Sequence, residues 1–370
     1  MATRLALVFF FVLAFLLPLP SAALFQSCTF DAIYQLGDSI SDTGNLIRDS
    51  PAGAASTFAR LPYGQTYFDK ATGRCSNGLL MVDYLAMDAD LPLLNPYLKK
   101  DADFSHGVNF AVAGSTALDT SFLAHKNIQS PVTNSSLNVQ LDWFNTFVNS
   151  VCNSKTECEQ RFEMGLFLVG EIGGNDYNYA FFQGKTIEEV QRTIVPHVVQ
   201  TIKDAVRKVI DFGAQRIVVP GNFPIGCMPI YLTGFQTNDT TAYDEFKCLK
   251  GLNEFAMYHN DHLQQALEEL RHEHPDVVIV YADYYNAFQW ILRHATYLGF
   301  EAGSTQKACC GVGGDYDFSL TRICGVPGVP VCSNPESRVS WDGIHLTQKA
   351  YEYMAEWLIR DITPNIHCIF

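Results

Sequence analysis

Two short stretches at opposite ends of the chain carry the residue types that nucleophilic catalysis needs. Gly37-Asp38-Ser39 places a hydroxyl directly after the apolar, β-rich run Ala32 to Leu36, on a turn that Gly37 makes sterically possible. Near the other end, Trp341-Asp342-Gly343-Ile344-His345-Leu346-Thr347 sets an aspartate three residues before a histidine. That spacing lets a carboxylate reach the imidazole across a local turn and fix its tautomer. Histidine suits the role of base because its unperturbed pKa of about 6.5 lets it take a hydroxyl proton and return it near neutral pH. An isolated Gly-Asp-Ser reads more readily as a turn whose serine caps the next segment. The other nine histidines, including His272 and His274 beside Glu273, read as structural.

Two more blocks sit after β-rich runs. Gly173-Gly174-Asn175-Asp176 follows Leu166 to Val169 and offers an amide NH2 able to bind charge that appears only in a tetrahedral intermediate, although the same four residues also make a plain loop. Asn109-Phe110-Ala111-Val112-Ala113-Gly114-Ser115 leaves a further run at Gly114, which by itself reads as a turn. The pattern His-Glu-x-x-His is absent, and Gly311-Val312-Gly313-Gly314 does not open a helix after a strand, so neither a metal nor a nucleotide cofactor is expected.

These residues need elements to hold them. Five buried strands are predicted, at Ala32–Leu36, Val108–Val112, Leu166–Val169, Arg216–Val219 and Val277–Tyr281. Helices are predicted over Thr186–Phe212, with a capping-box pattern at Thr186 and Glu189 and a kink or split at Pro196, over Tyr243–His274, and over Gln348–Arg360. Strands alternating with helices predict a parallel sheet, whose chemistry gathers where strands end and loops begin.

Composition bounds the rest. Arg4, the apolar run Leu5 to Leu17, Pro18, Pro20 and Ser21-Ala22-Ala23 read as a signal peptide over residues 1–23, shorter than a membrane span. One domain is expected over residues 24–370, with no stable membrane insertion. A formal net charge of −14 argues against nucleic acid as a partner. Eleven cysteines fit an oxidising compartment, with at least one left unpaired. Cys152 and Cys158 bracket a polar loop, and Cys324 and Cys332 a Pro/Gly-rich one, so short-range bridges are plausible without fixing the connectivity. Asn134-Ser135-Ser136 and Asn238-Asp239-Thr240 are glycan acceptor sequons.

In their order along the chain, Gly37 to Asn45, Asn109 to Ser115, Gly173 to Asp176 and Trp341 to Thr347 resemble the signature blocks of the plant GDSL esterase/lipases of the SGNH hydrolase superfamily. The resemblance runs from Ala32 to about Tyr353 and extends to Gly73 to Gly78, Pro220 to Cys227 and Ala308 to Gly311. Leu79 departs from the arginine common after Ser-Asn-Gly, a difference expected to bear on surface contacts. The resemblance implies an α/β fold, a three-layer α/β/α sandwich with a central, mostly parallel five-stranded sheet of flavodoxin-like type. It implies Ser39 as nucleophile, Asp342 and His345 as its partners, and an oxyanion hole from Ser39 N–H, Gly114 N–H and Asn175, with no cofactor or metal. The blocks look most like the branch of the acetylajmalan and sinapine esterases. That implies a hydrolase of short-chain esters of small plant metabolites; the leader, cysteines and sequons point to a secreted or vacuolar protein, expected to be a monomer. An acyltransferase, a cell-wall carbohydrate acetylesterase and a catalytically silent binding protein are the alternatives.

Overall fold

In the computed structural model, which describes residues 30–366, five strands form one parallel sheet. They are β1 (Ala32–Leu36), β2 (Gly107–Asn109), β3 (Gly165–Val169), β4 (Arg216–Pro220) and β5 (Val278–Ala282), in the spatial order β2-β1-β3-β4-β5. Every residue of β1 to β4 is buried, which explains why these runs are mostly apolar without alternation, Gln35, Asn109 and Arg216 being the buried polar exceptions. In this order the direction of winding reverses beside β1, and such a switch point opens a crevice at the strands' carboxyl ends.

Helices cover the sheet and complete the three-layer α/β/α build. Those that bear on the site and its support are α1 (Met81–Asp88), α2 (Leu137–Val151), α3 (Gly174–Phe182), α4 (Ile187–Thr193), α5 (Val195–Asp211), α6 (Lys250–Glu273), α7 (Tyr284–His294) and α8 (Gln348–Ile362). Helix α5 packs between α2 and α6, while α8 packs with α1 and α7. The buried stripe of α5, through Val195, Val198, Val199, Ile202, Val206 and Val209, follows the helical period. Between α2 and the sheet, Tyr34 of β1 stacks on Phe167 of β3 at 4.7 Å and meets Phe144 and Phe147 of α2 at 6.3 and 6.0 Å, so aromatic packing fixes how α2 lies on β1 and β3.

The predicted helix Thr186–Phe212 is two helices, α4 and α5, parted at Ile194 with Pro196 in the first turn of the second. Proline lacks the N–H a continuous helix needs there, but the first turn needs none. Thr186 accepts from Glu189 N–H as a cap, whereas the Glu189 carboxylate pairs with Lys185 at 2.8 Å instead of closing the capping box. The helix predicted from Tyr243 begins only at Lys250. Asp244 accepts from the N–H groups of Phe246 and Cys248, and Cys248 is bonded to Cys227, so this stretch is a tethered turn. Strand β2 stops at Asn109, short of the predicted Val112, because the Asn109 side chain accepts from Ala111 N–H and donates to Ser41 O. Leu79 is 2 % exposed and its N–H donates to Gln348, so this position faces the interior and not the surface contacts expected of it.

Cys152 pairs with Cys158, but Cys324 and Cys332 each pair with one of the adjacent cysteines, as Cys310–Cys324 and Cys309–Cys332. Among the described residues Cys75 is free and buried. The leader segment, Cys28 and Cys368 lie outside the described residues. No helix among the described residues is long and apolar enough to cross a membrane.

Candidate active site

The turn after β1 is stitched by side chains from its own motif. A Cβ on Gly37 would lie 2.8 Å from Ser41 Oγ and 3.0 Å from Glu171 O, so only glycine fits where the chain leaves the sheet. Asp38 Oδ1 accepts from Ile40 N–H, closing the turn over Ser39. Asp42 accepts from Gly44, Asn45 and Leu46 on its own side and from Ala113 N–H on the neighbouring segment. Asn45 donates to the carbonyls of Asn109 and Ala111. The segments carrying Ser39 and Gly114 are thereby fastened together at the carboxyl ends of adjacent strands.

Gly114 has φ +82°, and a Cβ there would lie 2.4 Å from Val132 Cγ1. Tyr179 OH donates to Gly114 O at 2.9 Å, which fixes the plane of that peptide. Among the described residues neither Ser39 N–H nor Gly114 N–H donates to a protein acceptor. Asn175, in the first turn of α3, donates to Asp38 Oδ2 at 3.0 Å and to Ser115 O at 2.9 Å. Both of its amide hydrogens are therefore engaged, and the free NH2 anticipated from the sequence requires one of these bonds to yield. Asp176 accepts from the N–H groups of Ala117 and Leu118 and so holds the loop that follows Gly114.

At the other pole, His345 Nδ1 lies 2.7 Å from Asp342 Oδ2, while Oδ1 accepts from the backbone of Ile344 and His345. Burial would raise the Asp342 pKa, but the His345 charge and these hydrogen bonds outweigh it and hold the carboxyl below its usual range. His345 Nε2 is buried with no hydrogen-bond partner. Ser39, Gly114, Asn175 and His345 line one cleft of about 270 Å³, walled by Phe58, Val132, Tyr179, Phe182, Ile230 and Ile344. No Asp, Glu, Lys or Arg lines it. A larger hollow of about 560 Å³ along β5 holds none of these four residues, so side-chain chemistry and not volume selects the site.

All five expected residues, Ser39, Gly114, Asn175, Asp342 and His345, are brought to this region, and Asn134 and Asn238 are exposed. Two supporting residues escaped the sequence. Gln140 of α2 accepts from Gly37 N–H and donates to Gly37 O and Ser115 Oγ, and Tyr63 donates to Asp342 Oδ2. Both are single residues far along the chain from their partners, without a motif of their own. His259 bonds to Tyr177 OH through Nδ1 at 2.7 Å, and burial pushes its pKa down to about 3.

Burial pushes Asp38 and Asp176 up to about 7 and Glu171 well above its usual value. A carboxyl whose pKa is higher folded than unfolded binds more protons in the native state, so its contribution to stability is lost as pH rises through the folded pKa. For these acids the window opens at about 4, the unfolded value, and reaches about 7 and beyond. His259, held neutral, acts in the opposite sense below its unfolded pKa of about 6.5. From about pH 6.5 to 8 only the acids act, so the calorimetric unfolding midpoint should fall there and Asp176→Asn should flatten the fall. A midpoint that rises over this interval would contradict the assignment.

The fold and the cleft together define the class, a hydrolase of the α/β/α build. Comparison with known proteins narrows this. The GDSL-like Lipase/Acylhydrolase family matches residues 33–358. Acetylajmalan esterase 1 of Rauvolfia serpentina is 47 % identical over 93 % of this chain and 89 % of its own length. Acetylajmalan esterase 2 of the same plant is 49 % identical, over 92 % of each. A GDSL esterase/lipase of Arabidopsis thaliana is 46 % identical over 93 % of this chain and 92 % of its own. The chain belongs to the GDSL-like lipase/acylhydrolase family and is a carboxylic ester hydrolase.

Proposed function

We propose that the protein hydrolyses acetyl and other short-chain esters of small plant specialised metabolites through an acyl-enzyme on Ser39. The observation that carries this is the cleft, where a serine hydroxyl, two unengaged backbone N–H groups and an unpartnered imidazole nitrogen meet without a charged side chain. Ser39 Oγ attacks the ester carbonyl carbon while its proton passes to His345 Nε2, and Asp342 steadies the imidazolium. The electron pair displaced onto the carbonyl oxygen is met by Ser39 N–H, Gly114 N–H and Asn175 Nδ2, the amide turning from Asp38 to reach it. Collapse expels the alcohol, which takes the proton from Nε2, and water repeats the sequence to release the acid.

Specificity for short acyl groups is supported by the cleft's volume of about 270 Å³, just below the roughly 300–1,000 Å³ typical of sites that enclose a drug-sized ligand. An acyl group and part of an apolar alcohol fit; a long chain does not. The relatives named as acetylajmalan esterases support an acetyl ester of a small plant metabolite as the substrate. The leader-like residues 1–23, the disulfides and the exposed sequons at Asn134 and Asn238 support entry into the secretory pathway, toward the apoplast or vacuole.

Purified protein should turn over an aryl acetate at least tenfold faster than the corresponding palmitate, and Ser39→Ala should abolish both. Preference for palmitate would overturn the short-acyl assignment, and undiminished turnover by Ser39→Ala would overturn the mechanism. Asn175→Ala should lower kcat about 10²- to 10³-fold with KM nearly unchanged, because the donor acts on charge absent from the ground state. A loop residue would instead show its effect in the unfolding midpoint.

A further inference from the structure

Asp342 receives four hydrogen bonds, one more than its neighbours along the chain supply. Two come from the backbone of Ile344 and His345 to Oδ1, and a third joins Oδ2 to His345 Nδ1. The fourth comes from Tyr63, which donates its phenol proton to the same Oδ2 at 2.8 Å from 279 residues earlier in the chain. Tyr63 is 2 % exposed and lies in a cluster with Trp341 and the Cys309–Cys332 and Cys310–Cys324 disulfides. Trp341 meets its ring edge-on at 6.2 Å and Phe58 at 5.0 Å, and Phe58 in turn meets the His345 imidazole at 5.8 Å. A phenylalanine would fill this space equally well. The hydroxyl is the part that packing does not require, and it is spent on the carboxylate oxygen that faces the imidazole.

We propose that Tyr63 is a positioning residue of the hydrolytic site, whose phenol pins Asp342 Oδ2 against His345 Nδ1 and shares the carboxylate's charge. The proposal rests on the Ser39–His345–Asp342 reading given above. In each half-reaction the proton from Ser39 or from water travels to Nε2 and on to the leaving group; the Nδ1 proton stays on the ring, Asp342 stays ionised, and Tyr63 keeps its proton. Burial and the neighbouring carboxylate push the phenol's pKa well above its usual value, so it remains a donor throughout the working pH range. By drawing charge from Oδ2, the phenol keeps the imidazolium from being held so tightly that it returns its proton slowly. Asp38, Asp42, Cys75 and Tyr351 are the other titratable groups bearing on this corner, from the turn after β1, the segment before α1 and helix α8.

The test compares wild type, Tyr63→Phe, Asp342→Ala and the double variant on an aryl acetate. Tyr63→Phe should lower kcat 10- to 100-fold with KM within twofold, and the acid limb of kcat/KM should move to higher pH, because a carboxylate with one donor fewer raises the imidazole's affinity for its proton. In the Asp342→Ala background the same change should cost less than twofold, since the phenol acts only through the carboxylate. A wild-type kcat with an unmoved acid limb, or equal losses in both backgrounds, overturns the proposal. Should Tyr63→Phe fail to fold, difluorotyrosine at position 63 keeps the ring and strengthens the donor. It should move the acid limb down, and an unmoved limb is equally fatal. Full activity in Ser39→Ala or Asp342→Ala would instead sink the underlying triad reading, so the two failures are separable.

Discussion

His345→Ala is expected to lower kcat for an aryl acetate by about 10⁶-fold while leaving KM within a few fold, as removal of the base does in serine hydrolases whose triad acts as a unit. The imidazole is 3 % exposed and lies in a cleft lined by no other histidine and by no Asp, Glu, Lys or Arg. Asp38, the nearest alternative base, has its carboxylate committed to Ile40 N–H and to Asn175. Nothing else in the cleft can take the Ser39 proton. Ser39→Ala should fall to the same level, and the double variant should be no worse than either single one, because each removes the same step. Steady-state kinetics with active-site titration tests this, and a His345→Ala loss of only tenfold would show that another group serves as base.

Asp342→Asn should lower kcat about 10⁴-fold, more than its loss of charge alone suggests. Oδ1 accepts two backbone N–H groups, so the amide oxygen of an asparagine must take that position. Its NH2 then faces both His345 Nδ1 and Tyr63 OH, where Oδ2 now accepts. The imidazole can meet a donor only with a bare Nδ1, which puts its single proton on Nε2 and leaves no lone pair there to receive one from Ser39. The expected signature is a large loss of kcat without a comparable loss of thermal stability. If Asp342→Asn instead unfolds at room temperature, the carboxylate is acting chiefly as a loop anchor.

How far the sequence carried this picture depends on where partners lie. Strands β1, β3, β4 and β5 were legible to within a residue, because a buried parallel strand is a short apolar run that ends at a glycine or polar turn. The end of β2 was not, since the chain leaves the strand after Asn109, whose side chain grips Ser41 across the strand ends. The start of α6 was misread because apolar spacing continues through Tyr243–Leu249, while the Cys227–Cys248 bridge and the Asp244 turn prevent a helix there. The site residues sit in contiguous motifs after strands, and the parallel order makes those strand ends neighbours. Their buttresses are distributed singly: Gln140 reaches Gly37 across 103 positions and Tyr63 reaches Asp342 across 279. The engagement of Asn175 by Asp38 is likewise visible only in three dimensions, because both residues belong to recognisable motifs that say nothing about each other.

The most direct test of the central claim is covalent: incubate the purified protein with a fluorophosphonate probe and map the modified peptide by mass spectrometry. One adduct per chain is expected, on Ser39, forming in step with the loss of aryl acetate hydrolysis and failing to form in His345→Ala. Full loss of activity with the adduct on another residue, or hydrolysis that persists when Ser39 is fully modified, would contradict it.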